Sequence, residues 1–466
     1  MTVVGGAGFG KSQLAFEYAY RYALEYDYIW VVNAADTLSL ERAYREFAIR
    51  TDLPSAGTEE FEQVLTHVRL WLEGHSRFLF IYDNAEGLSS KLLGYLPCGH
   101  LQGRILINTR DSRCRLSNTL IDLKDFPFDG VKFLQKRLEN TCVVVSSDDA
   151  ECLAVMLKHF PLALEHAAAF MERRQQTCAY YMKLFERVEL SKVLDDDSVH
   201  LTVYDKTIAK TWRVSIDEIK SKSARQLFNL CIYFAPDDIP LSLFIKGRDN
   251  LPVELRDVLL PGEHSKHDCL VGELARYSLL SFGRKDNGDI LLFMHRLIQA
   301  TVFRDLANDT QWVSCCLDMM TAVFEYKYGD KESMDAFTQD VSHVLKIAYH
   351  AEEMLDKNDE SVQKKIACLY GEAGRGFYYS GEYSKALEWY NKSLVIKERV
   401  LGTDHPSTAD TYNNIALVYG SQGKYVEALE WYNKALSIYK KIFGENYEFT
   451  KTVQDRIKSL QSMIDQ

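Results

Sequence analysis

A chain of 466 residues, 47% hydrophobic and 26% charged, is long enough for about three domains with buried cores. Its net charge of −11 argues against a body built around a basic nucleic-acid face, and no apolar run reaches the length of a bilayer-spanning helix. Ten cysteines without a C-x-x-C pair suit reduced thiols of a cytoplasmic protein, not a disulfide framework or a zinc site.

The first predicted strand, Thr2–Val4, runs directly into Gly5-Gly6-Ala7-Gly8-Phe9-Gly10-Lys11-Ser12, a match to G-x-x-x-x-G-K-[ST]. In that loop Gly5, Gly8 and Gly10 let backbone N–H groups approach phosphates, Lys11 supplies a cation, and Ser12 supplies a hydroxyl to Mg²⁺. The helix opening with Gln13 aims its positive end at the same place, so Gln13 joins the nucleotide-binding set. Only Met1 precedes the strand, which leaves it barely long enough to form.

Further apolar runs at Tyr28–Val32, Phe78–Tyr82 and Arg104–Ile107 alternate with helical patterns, as in a parallel sheet with crossover helices. The second and third of the four runs are almost continuously apolar, which predicts strands covered on both faces. Phe78–Tyr82 ends in Asp83; alone, it reads as a turn residue closing a strand, but behind the glycine loop it is a carboxylate placed to hold Mg²⁺ with Ser12. Asn84 follows instead of a second acid, and Glu86 is the remaining candidate base, so hydrolysis is expected to be slow at most. Arg110, at the end of the fourth run, can report a γ-phosphate or pair with Asp111 at the surface.

Together, Tyr28–Ala34, Leu79–Ala85 and Gly103–Arg110 resemble the NB-ARC family of STAND signal-transduction ATPases. The resemblance implies an ADP/ATP switch with Mg²⁺, in which Lys11, Asp83 and Arg110 form the reactive set and Arg110 is the sensor arginine. Phe160-Pro161-Leu162-Ala163-Leu164 is similar to the family's GLPL motif, with His159 and Phe160 where Gly and Leu are usual. The resemblance puts Pro161 beside the base or ribose; as plain physics it is a proline in the first turn of a helix.

Helices are predicted at Thr207–Ile219 and Ala224–Phe244, then a hairpin in which Leu274–Phe282 and Ile290–Met294 flank Gly283–Asp289. This resembles the family's winged-helix subdomain. Met294-His295-Arg296-Leu297-Ile298-Gln299 looks like its MHD-type motif, which implies that His295 meets the β-phosphate of ADP and locks a closed state. Without the family, His295 reads as a satisfied structural histidine. Arg296 stands where the motif has an acid.

A repeat of 42 residues is plain at the C-terminal end: Gly381–Lys392 returns as Gly423–Lys434, with Ala386, Leu387, Tyr390 and Leu394 on one helical face. Gly381 and Gly423 separate paired helices, and Gly402 and Gly444 are expected as left-handed caps. The units are similar to tetratricopeptide repeats of the longer, kinesin-light-chain-like kind, with Trp389 and Trp431 read as inter-repeat core. Val341–Leu355 and Ser361–Gly371 extend the stack, and Tyr447–Gln466 is either a cap or the stub of further repeats.

The expected fold is therefore multidomain: a P-loop α/β domain (1–125), a helical subdomain (126–200), a winged helix (201–305), a helical linker or degenerate repeats (306–365) and an all-α solenoid (366–466). The expected function is a nucleotide switch in signalling or defence, with repeats that take a protein or peptide ligand and nucleotide exchange that controls homo-oligomerisation. The alternative is a repeat scaffold with a vestigial nucleotide-binding domain; a DNA-binding regulator would require salt-sensitive binding. Switches of this family carry an N-terminal effector domain, so the part acting on the switch is expected to lie outside this chain.

Overall fold

The computed structural model describes residues 1–6, 8–54, 61–85, 94–96, 101–110, 119–123, 129–187, 203–285, 287–306, 308–327 and 331–464. Ala7, Glu86 and Asp111, singled out by the sequence, lie outside the described residues. The chain divides into two compact units: Met1–Phe228 with Pro261–Leu306, and Asn229–Leu260 with Ala307–Gln466.

The first unit opens with a parallel α/β layer. Its strands are β1 (Thr2–Val4), β2 (Tyr28–Asn33), β3 (Phe78–Asp83), β4 (Arg104–Thr109) and β5 (Leu120–Asp122), in the order β2-β3-β4-β1-β5. Short as it is, β1 is fully buried and paired on both sides, Val3 opposite Asn108 and Ile121. Helix α1 (Lys11–Arg21) covers one face of the sheet, and α2 (Thr37–Arg50) and α3 (Phe61–Gly74) cover the other. The alternation of β3 follows: Phe78, Phe80 and Tyr82 pack with Tyr44, Phe47 and Val68, while Leu79 and Ile81 pack with Ala15 and Ala19. Asp36 caps α2 by accepting the Ser39 N–H at 2.8 Å.

β3 is buried on both faces as expected, but β2 is not. It forms the sheet edge, and Tyr28, Ile29 and Val31 are exposed, because the apolar cluster around α1 stops at Leu79 and Ile81. An apolar run by itself cannot tell an edge strand from a central one.

Among the described residues the next helices are α4 (Gly130–Leu138), α5 (Ser147–Met156), α6 (Pro161–Arg174), α7 (Cys178–Arg187) and α8 (Val203–Asp217). Arg137 binds Glu165 at 3.0 Å and Glu172 at 2.9 Å, tying α4 to α6. The helix read as Ala224–Phe244 is shorter, α9 (Lys222–Cys231), and Pro236 falls beyond its end. After α10 (His264–Ala275) comes the expected hairpin, β6 (Ser281–Arg284) and β7 (Ile290–Phe293), pairing Ser281 with Phe293 and Arg284 with Ile290. The unit closes with α11 (Arg296–Asp305), held to α8 by Arg213 and Asp305 at 2.6 Å.

In the second unit, α12 (Gln311–Val323) and α13 (Lys331–Met354) precede α14 (Glu360–Tyr379), α15 (Tyr383–Leu401), α16 (Pro406–Ser421), α17 (Tyr425–Phe443) and α18 (Glu448–Ile464). Ala386, Tyr390, Ala428 and Tyr432 are buried, as the repeat predicts. Trp389 and Trp431 each lie half-buried against a tyrosine of their own unit, Tyr370 at 5.4 Å and Tyr412 at 5.6 Å, under the ammonium of Lys392 or Lys434. In α18 the positions equivalent to Tyr412 and buried Ala416 are Gln454 and exposed Lys458, so the repeat pattern is more polar there.

Gly402 and Gly444 end their helices, but not in the left-handed helical region. Their φ/ψ of 89°/161° and 84°/173° lie where a Cβ is not tolerated, which turns the chain more sharply into the next helix. Gly402→Ala should therefore cost about 1–3 kcal/mol in urea unfolding. Gly420→Ala, at a helical position with open space around the added carbon, should be neutral or stabilising by up to about 1 kcal/mol.

Candidate nucleotide-binding site

The loop between β1 and α1 turns through Gly8 (φ 73°) and Gly10 (φ 84°), and Gly10 caps α1 without a side-chain acceptor. The first N–H groups of α1 are thus left pointing out of the helix end, a donor set suited to an anion. The nearly buried Lys11 curls back, and its Nζ donates to the carbonyls of Gly5 and Gly6, both at 2.9 Å. Gln13 lies on the exposed side of α1.

Register then brings the strand ends together. Asn33 is level with Asp83, and Val4 with Thr109. The Ala34 N–H donates to Asp83 O at 2.7 Å, the Ala85 N–H to Asn108 O at 2.9 Å, and the Gly5 N–H to Thr109 O at 3.4 Å. These bonds weld the tips of four adjacent strands into one floor at their carboxyl ends, where ligands of open α/β sheets bind. Asn84 makes the turn off β3 with φ 60°, a conformation asparagine tolerates.

Ser12 and Asp83, paired by expectation, do meet: the Ser12 hydroxyl lies 2.8 Å from both carboxylate oxygens. Asn108 Nδ2 donates to Asp83 Oδ1 at 2.9 Å. One hydroxyl and one carboxylate fit Mg²⁺, which keeps most of its shell as water and phosphate oxygens. Among the described residues no group of three or more His, Cys, Asp or Glu could hold a metal by itself.

His295 arrives from the end of β7. The enclosing protein first, then the charges of Arg110, Lys11 and Arg296, hold its pKa down at about 4, with Asp83 opposing. The residue nevertheless keeps an exposed side. At neutral pH His295 is an uncharged N–H donor, not an imidazolium. Arg296 reaches further and donates from Nη2 to Asn33 Oδ1 at 3.4 Å.

The GLPL-like segment adjoins the loop: the Phe160 ring lies 6.4 Å from that of Phe9, and Pro161 starts α6. His159 keeps the backbone a glycine would adopt there, with φ 54°. Its ring has room because residue 130 is glycine; a Cβ there would lie 2.9 Å from His159 Nδ1.

The structure therefore gathers Gly5, Gly8, Gly10, Lys11, Ser12, Asp83, Arg110 and His295 at one sheet end, with Pro161 behind Phe160. Sequence reasoning missed Asn33 and Asn108, whose only signal was a polar residue ending an apolar strand. It also passed over His166, buried in α6, whose Nδ1–H donates to the Tyr277 carbonyl at 3.2 Å.

A tetratricopeptide repeat family model matches residues 365–441, and a domain of unknown function, DUF7779, matches residues 214–311. Over 451 residues, 89% of its length, the chain is 24% identical to a nucleotide-binding leucine-rich repeat (NLR)-like protein of Hyaloscypha variabilis. It spans 43% of that relative's length. A stretch of 42 residues, 9% of the chain, is 48% identical to 3% of a clustered mitochondria protein of Arabidopsis thaliana. Among solved structures, a STAND protein with a tetratricopeptide repeat sensor from Pyrococcus horikoshii aligns over 99% of this chain and 78% of its own, at 13% identity and a TM-score of 0.42. The resemblance read from the motifs is borne out over most of the chain by the NLR-like relative, and the C-terminal helices are tetratricopeptide repeats.

Burial pushes the pKa of His166 down to about 3, against the pull of the Tyr277 carbonyl. A group whose folded pKa lies below its unfolded value of about 6.5 lends stability above that pH and loses it as pH falls toward 3. Stability should fall by about 1.4 kcal/mol per pH unit from this residue alone below pH 6.5. Urea unfolding at pH 6.5 and 5.0 should show that component in the wild type and not in His166→Gln.

Proposed function

We propose that this chain is a nucleotide-operated signalling switch that binds ADP or ATP with Mg²⁺ at the sheet end and a protein or peptide ligand at its repeats. The observation that carries the reading is electrostatic: Lys11, Arg110 and Arg296 all act on His295 beside the Ser12–Asp83 pair. Cations crowded into one cleft are tolerable when an anion is to be shared among them. In this reading residues 1–125 hold the nucleotide, residues 201–305 supply a winged-helix-like closing part, and the protein works in the cytoplasm.

When bound, the nucleotide supplies the negative charge of its phosphates. Lys11 and the first N–H groups of α1 hold the phosphates, Ser12 and Asp83 orient Mg²⁺, and Arg110 stands where an additional phosphate would be felt. His295, neutral, donates one hydrogen bond that requires the closing part to be in place. Asn84 leaves no second acid beside Asp83, so water activation is poor and the bound state persists. The repeats bias the same two-state equilibrium, and the open state self-associates. The absence of that acid is also what favours the second reading, a repeat scaffold whose nucleotide site no longer switches; nucleotide released on denaturing the purified protein separates the two.

Lys11→Ala should weaken ADP binding by about 30-fold or more in calorimetric titration, since truncating one side of a hydrogen-bonded charge pair costs about 2–5 kcal/mol. Unchanged affinity would falsify the site. Asp83→Asn should remove the dependence of binding on Mg²⁺. His295→Ala should keep ADP affinity within about tenfold while shifting the ADP-bound protein toward larger species in light scattering.

A further inference from the structure

The lock described above gives His295 a task and leaves Arg296 without one. Arg296 is the first residue of α11, whose first turn contains no acid. A helix N-terminus is its positive end, so a cation there is unfavourably placed. It also stands near enough to Lys11 and Arg110 for all three to act on one imidazole. The helix dipole does not explain an arginine at this position; a contact made far along the sequence offers a reason.

The guanidinium crosses 263 positions of sequence to reach the Asn33 side-chain oxygen at 3.4 Å. That oxygen is already oriented, because it also accepts the Ala35 N–H at 3.2 Å in a local turn. Asn33 is fixed too at the sheet end, level with Asp83 and followed by the Ala34 N–H bond to Asp83 O at 2.7 Å. A preset neutral acceptor on the floor thus faces a cation on the segment that carries His295.

Resting on the switch reading, we infer that Arg296 and Asn33 form a catch that holds the His295 segment against the sheet end without nucleotide. Arg296 is a positioning residue: it acts through His295, which it keeps within reach of the site before any phosphate arrives. The acceptor is an amide and not a carboxylate, so the catch is weak enough to open. An aspartate at position 33 would pair fully with Arg296 and favour the closed state.

The test compares wild type, Asn33→Ala, Arg296→Ala, the double variant, Asn33→Asp, and Asn33→Asp in the Arg296→Ala background. Hydrogen exchange over residues 290–300 is read in nucleotide-free protein, and release of a fluorescent ADP analogue is read with Mg²⁺ chelated, so that a second acid near Asp83 does not act through the metal. Each alanine variant should raise exchange and speed release by about 2- to 10-fold, and the double variant should be no worse than either. Asn33→Asp should slow both by at least about threefold, and only where Arg296 is present. Additive alanine effects, or an Asn33→Asp effect that persists without Arg296, would overturn the catch. If wild type fails to bind the analogue, the switch reading fails, while the exchange arm still decides the catch.

Discussion

Three cations, Lys11, Arg110 and Arg296, bear on one imidazole, and Asp83 is the acid that opposes them there. Asp83 is itself committed to Ser12 and Asn108. Like charges that bear on one group repel each other, which favours the entry of something negative. The cleft is exposed enough for an anion to do so, since both Arg110 and His295 keep solvent contact. The neighbouring features serve this condition. The first-turn N–H groups of α1 add positive potential, Ser12 and Asp83 lie hydrogen-bonded beside them, and the floor beneath is buried.

Strand order makes the cluster possible. Because β4 lies between β1 and β3, its tip residues Asn108 and Arg110 arrive between the phosphate loop and Asp83. Asn108 steadies the carboxylate, while the backbone bonds among Ala34, Asp83, Ala85, Asn108, Thr109 and Gly5 keep the strand ends at one level. A three-residue β1 suffices since both its neighbours are in register with it. The hydrogen-bonded tips, more than the strand's length, fix where Lys11 begins its helix.

Local chemistry was legible in the sequence; adjacency was not. The spacing of Gly5 to Ser12 and the acid ending an apolar run named Lys11, Ser12 and Asp83 from residue types alone. Arg110 and His295 needed the family resemblance, because a single arginine or histidine carries no spacing to test. The pairing of Asn33 with Arg296 escaped both, being made across 263 positions by a contact that no periodicity encodes. Edge placement of β2 was hidden for a related reason: coverage depends on where α1 lies, and an apolar run reads the same whether covered or not. The repeat glycines were found by period, yet their mirror-extended backbone depended on the angle at which the next helix departs. His159 shows the converse, a departure from the motif tolerated because Gly130 makes room for it.

The contacts available to close the proposed switch are individually weak, and that is consistent with its use. A neutral His295 offers a single N–H, and Arg296 meets an amide oxygen at 3.4 Å. Hydrogen bonds of this kind contribute about 0.5–1.5 kcal/mol each, or up to about 3 where one partner is charged. Moving a two-state equilibrium from 1:99 to 99:1 takes about 5.5 kcal/mol of differential binding, so such contacts bias the closed form without fixing it. In the proposed switch, phosphate charge shared among Lys11, Arg110 and Arg296 is what supplies the rest. Had His295 been held as an imidazolium by a neighbouring acid, or had Asn33 been an aspartate, closure would depend far less on what the cleft contains. In the proposed switch the acceptor facing Arg296 is a neutral amide, so closure depends more on what the cleft contains.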